Sequence, residues 1–119
     1  MKLLTQDQHK KLLENGKENA QRLAEGHEPT DHPPVVKLFT PDAACTWLLS
    51  ELEPVDNDIA FGLCDLGLGT PELGSVRLSE IASVRGRLQL PVECDRYFIG
   101  SKPLSEYADE ARDCGYIKT

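Results

Sequence analysis

The sequence predicts an α+β domain: a mainly antiparallel sheet of four to five strands, an N-terminal helical layer and two short C-terminal helices. Three observations carry this. Helix signals fill the first part of the chain, short β-like runs joined by turns follow between residues 35 and 78, and two serine-led stretches close it. The β-like runs lie too close together for parallel crossovers, which need about a dozen residues each. At 119 residues the chain makes one domain, with 1–34 as a helical segment and Pro-rich connector and 35–119 as the α+β core.

Thr5 and Gln8 have capping-box spacing, so a helix is expected from about Gln6. Its apolar stripe, Leu12 and Leu13 with Leu3 and Leu4 upstream, is thin and suits an outer layer. Asn15-Gly16 offers a stop before a second helical stretch, Lys17 to Ala24, closed at Gly26. The three prolines between His27 and Pro34 remove backbone donors, which predicts an extended connector with solvated histidines.

Val35 to Phe39 is β-branched and aromatic between prolines, the clearest strand of the first half. The following stretch reads two ways. Ala44, Trp47, Leu48 and Leu52 fall at helical spacing behind Thr40-Pro41, whereas Cys45, Trp47 and Leu49 alternate as a strand face. A strand from Ala44 to Leu52 is favoured, because a turn at Pro54 to Asn57 and a β-like run from Ile59 to Leu66 then extend a meander. Gly67, Gly69 and Pro71 turn the chain into an alternating Glu72 to Leu78. Ser79 is expected to cap a short helix closed by Gly86, Val92 to Phe98 to supply a last strand, and Ser105 to cap a final helix closed by Gly115. Phe39, Trp47, Phe61 and Leu63, the largest apolar groups of the strand-like segments, are expected in or beside the core.

The net charge of −7 sits in the middle of the chain. Residues 28–72 hold one lysine against nine carboxylates, a balance of −8, while the flanking segments are nearly neutral. Such a surface does not lie on a phosphate backbone, which demands Lys and Arg, but it suits a basic groove. Glu51, Glu53, Asp56 and Asp58 form its densest run, around an expected turn, and are the candidate partner-binding residues. Arg77, Arg85, Arg87 and Arg96 form a basic cluster, read as pairing with Glu80, Glu93 and Asp95.

Catalytic motifs are not found. Gly67-Leu68-Gly69 lacks the third glycine of a dinucleotide loop and any following Gly-Lys-Ser/Thr. Asp56, Asp58, Asp65 and Glu72 are the carboxylates a divalent-metal nuclease could use, without a lysine between Lys37 and Lys102. Cys45, Cys64, Cys94 and Cys114 include no Cys-x-x-Cys pair and are read as thiols, Cys45 and Cys64 as small buried groups. No metal, cofactor or membrane contact is expected. With no secretory signal and no apolar run of about 18 residues, the expected location is the cytoplasm.

Val35 to Ala44, Thr46 to Leu49, Ala60-Phe61-Gly62-Leu63-Cys64-Asp65-Leu66-Gly67, Pro71 to Gly74 and Leu78-Ser79-Glu80 together resemble a family of small single-domain proteins of undefined function, common on plasmids and other mobile elements. The resemblance spans residues 35 to 107 and supplies no catalytic residues. It implies two functions: members are loosely labelled single-stranded DNA endonucleases, and a similar protein is described as an anti-CRISPR inhibitor of type II RNA-guided nucleases. The missing motif and net acidity favour the inhibitor, with a type II effector nuclease or its guide complex as partner. The alternative is an endonuclease or DNA-processing accessory.

Overall fold

The computed structural model describes residues 3–119. Helix α1 (Gln6–Ala24) starts with the expected capping box: the Thr5 hydroxyl accepts from Gln8 N (3.1 Å) and the Gln8 side chain accepts from Thr5 N (2.9 Å). It does not stop at Asn15-Gly16. Asn15 is buried and donates Nδ2 to Ser50 O (2.9 Å), and a Cβ built on Gly16 would lie 1.7 Å from Leu52 O. The pair that reads as a terminator is the point where helix backbone presses on sheet backbone.

The strands are β1 (Val36–Phe39), β2 (Thr46–Leu52), β3 (Ile59–Asp65), β4 (Glu72–Arg77) and β5 (Glu93–Cys94), in an antiparallel sheet of order β4-β3-β2-β1-β5. The chain is therefore α+β, and residues 46–52 are strand. Gly67 (φ 80°) and Gly69 (φ 84°) make the β3–β4 turn in the left-handed region, as their positions predict. The last strand is shorter than Val92 to Phe98, because Asp95 Oδ1 accepts from Tyr97 N (2.9 Å) and turns the chain away.

Helices α2 (Leu78–Ser83) and α3 (Leu104–Cys114) follow, and neither is capped by its serine. Ser79 lies inside α2 and gives both its N–H (3.0 Å) and its hydroxyl (2.7 Å) to Asp58. Ser105 likewise lies inside α3, and its N–H (3.2 Å) and hydroxyl bind Asp31. α2 ends at Ser83, three residues short of Gly86, whereas α3 closes on Gly115 at φ 83° as expected.

Two apolar clusters sandwich the sheet. On one face Leu12 of α1 packs with Val36, Leu38, Trp47, Leu49 and Leu52, joined by Ala60, Ile81 and Val92. On the other, Leu104, Tyr107, Ala108 and Ala111 of α3 pack on Leu48 and Leu63. Trp47 and Leu63 are thus core groups, Phe39 is half-buried, and Phe61 lies at the margin, 36% exposed. Cys45 and Cys64 are partly buried against the first cluster, burial pushes the Cys64 thiol up, and all four cysteines are free.

Candidate functional site

The acidic run divides into two parts with different work. Around the β2–β3 turn Glu53 accepts from Val55 N (3.2 Å) and Asp56 N (2.6 Å). Asp56 accepts from Asp58 N (3.1 Å) and from the Arg77 guanidinium (3.1 Å). Asp58 holds Ser79 and faces Arg77 at 3.5 Å, while its backbone carbonyl accepts from Leu78 N (2.7 Å). The Ser79 hydroxyl, with Arg77 adding to it, keeps the Asp58 carboxyl below its ordinary range. These carboxylates tie the turn to the β4–α2 junction and remain partly exposed.

Glu51 is placed by a bulge. The β2–β3 register shifts between Leu49 and Glu51, so Ser50 is the extra residue and the side-chain alternation inverts after it. Leu52 consequently joins the α1 face, and Glu51 lies opposite Phe61 on the α3 face. Asn19 of α1 donates Nδ2 to Glu51 Oε2 (2.5 Å) and to Thr30 O (3.0 Å), and its Oδ1 accepts from Thr30 N (2.7 Å), fastening the connector. Burial pushes the Glu51 carboxyl up, outweighing the Asn19 bond. His32 is not solvated as expected: its side chain is 12% exposed, and its buried Nε2 stands 3.5 Å from Glu18 without a hydrogen bond.

Beside Glu51 lies a groove of about 360 Å³ with Leu23, Phe61, Leu73 and Leu104 as its apolar lining. An adjoining hollow of about 220 Å³ shares Asn19, Leu23, Glu51 and Phe61. Leu23 is 60%, Leu73 37% and Phe61 36% exposed. Among the described residues no Lys or Arg lines either depression; Asp31, Glu51 and His32 line the first, and Glu51 and Glu53 the second. Of the four candidate residues, then, Glu51 faces the apolar groove, Glu53 borders the hollow, and Asp56 and Asp58 serve the turn. Sequence reasoning missed Asn19, Leu23, His32 and Leu73, and placed Phe61 in or beside the core without assigning it to a surface. The apolar alternation of β3 on both faces was the available signal.

The basic cluster pairs differently from expectation. Arg77 takes Asp56 and Asp58, and Arg85 donates to the carbonyls of Ala82 and Val84 (both 2.8 Å). The carboxylates named for a divalent ion do not converge: Asp58 and Asp65 flank opposite ends of β3, roughly 20 Å apart at strand rise. Asp65 is buried and accepts from Gly67 N and Ile117 N (both 2.9 Å). Among the described residues no group of three or more His, Cys, Asp or Glu is placed to hold a metal ion, and no helix is long and apolar enough to cross a membrane.

Residues 3–118 match the family described as "Protein of unknown function (DUF2958)". The chain belongs to that family. No curated protein and no solved structure matches it. In this DUF2958 member the groove beside Glu51 combines a cavity, an apolar floor and carboxylates with no Lys or Arg among the described residues lining it, and it is the candidate site.

Proposed function

We propose that this DUF2958 protein is a cytoplasmic inhibitor that works by binding a basic protein surface, and that its partner is a type II RNA-guided nuclease or its guide complex. The observation that supports this reading most directly is the −8 balance of residues 28–72, of which Arg77 neutralises only part, through Asp56 and Asp58. The channel that holds nucleic acid in such a nuclease is positively charged. An acidic surface is steered toward it and competes with the nucleic acid for the same cations. Inhibition of this kind needs a shaped, charged face and no reacting group. The resemblance to mobile-element proteins adds a setting in which disarming such a nuclease is useful.

The test is cleavage of target DNA by a guide-loaded type II effector with increasing amounts of the protein. Cleavage is expected to fall with dose and to recover as salt rises, because exposed charge is screened beyond about 8 Å at physiological ionic strength. An unchanged rate at every dose would remove the reading. Incubating the protein alone with single-stranded DNA and magnesium tests the endonuclease alternative, for which cutting would be the positive result.

A further inference from the structure

We propose that the groove between the C-terminal half of α1 and the exposed end of β3–β4 is a receptor for one basic side chain of a partner protein, an arginine or lysine beside an apolar residue. In it Glu51 is the charge anchor and Phe61 the platform. This deepens the binding reading and rests on it only for the identity of the partner.

The placement comes from the bulge at Ser50, which sets Glu51 directly across from Phe61. Asn19 occupies only Oε2 of the carboxylate, which leaves Oε1 without a protein donor among the described residues. A carboxylate half removed from water, with one oxygen still free, gains most from a cation that replaces the lost hydration. Phe61 offers a ring next to it, and a guanidinium or ammonium over an aromatic face is attracted by the ring quadrupole. Leu23 and Leu73 flank the ring and suit the methylene stem of a long basic side chain or the apolar neighbour that follows it. The charge balance selects the sign of the occupant: carboxylates line both depressions, no Lys or Arg among the described residues does, and the basic side chain in the lining, His32, has its Nε2 turned to Glu18 at 3.5 Å. A phosphate would be repelled. The volume, about 360 Å³, is at the lower end for a small-molecule cleft and suits one or two side chains. Arginine is also the residue type over-represented at interface centres where a few contacts dominate affinity.

The probe is the peptide acetyl-Leu-Arg-Leu-amide, titrated into ¹⁵N-labelled protein and followed by amide shifts, with acetyl-Leu-Gln-Leu-amide as the neutral comparison. Shifts are expected at Leu23, Glu51, Phe61 and Leu73, with a Kd near the millimolar range. The Gln peptide and the variants Glu51→Gln and Phe61→Leu are each expected to weaken binding by about threefold or more. Thermal melts of both variants establish that they fold. Leu73→Ser, a change on the edge strand, is a further variant expected to weaken binding. Equal binding of the two peptides, shifts elsewhere on the surface, no shift up to about 10 mM peptide, or unchanged binding by folded Glu51→Gln would each overturn the proposal. The effector assay separates the two readings. Peptide binding at the groove without inhibition removes the effector partner and keeps the receptor. Inhibition by the wild type and by Glu51→Gln alike, with no peptide binding by the wild type, removes the receptor and keeps the effector partner.

Discussion

The two faces of the sheet are closed to different extents. Nineteen residues of α1 lie over one face, pressed so near at Gly16 that only a hydrogen fits, and the apolar groups beneath are sealed. The other face has the eleven residues of α3, which cover Leu48 and Leu63 and leave Phe61 and Leu73 partly in water. Both faces of β2 and β3 carry apolar side chains, but the helices suffice for about one and a half. Burying apolar surface stabilises by about 25 cal/mol per Å², so the uncovered half is stability forgone.

Substitutions on the two faces should therefore separate into large and small effects. The largest is Trp47→Ala on the sealed face, expected to destabilise by about 3–5 kcal/mol in denaturant unfolding. A cost near zero would mean that the α1 face is as open as the other. Gly16→Ala comes next. Helix propensity alone favours alanine by about 1 kcal/mol, but the added methyl meets the Leu52 carbonyl, so a net loss of about 1–3 kcal/mol is expected. Stabilisation would show that helix and sheet can part there without penalty. Leu73→Ser on the open face should cost about 1 kcal/mol or less.

The smallest and sharpest contrast is in pH. Asp58 has its folded pKa depressed, so its contribution is complete above the ordinary carboxylate range and disappears as pH falls through the folded value. Asp58→Asn should lower Tm at pH 7 and remove part of the loss of stability in acid. Glu51 is the reverse: its folded pKa is raised, so it favours folding at acid pH and that help is lost as pH rises through the folded value. At pH 7 its charge is a cost, and Glu51→Gln should leave Tm unchanged or higher. Thermal melts of both variants from pH 3 to pH 8 check the opposite signs.

The parts of the fold that were legible in the sequence are those whose cause is local. The Thr5–Gln8 box, the β-branched run of β1, the turn at Gly67 and Gly69 and the αL closure at Gly115 each depend on neighbours within a few residues. The misread positions depend on partners far along the chain. Asn15-Gly16 looks like any helix stop until the carbonyls of Ser50 and Leu52 are brought against it. Ser79 and Ser105 have the spacing of caps, but the acids that bind them, Asp58 and Asp31, arrive from 21 and 74 residues away. The acidic run was visible as charge, but its division was not. Parity would place Glu51 with Trp47 and Leu49, and only the Ser50 bulge turns it toward Phe61.

The fastening of α3 predicts an order of assembly. Its first turn is held by Asp31 and by the His32 carbonyl, which accepts from Leu104 N (3.1 Å), and the tail behind it is held by Asp65 through Ile117 N. Asp65 ends β3, and its link to Ile117 spans 52 residues. The Asp65 attachment lies on the β1–β4 meander, whose short-range pairings close smaller loops at a lower entropic penalty. On loop closure, α3 is expected to dock last and to come away first. In hydrogen exchange its amides are expected to open at lower free energy than those of β2 and β3, and equal protection in all three elements would overturn this order.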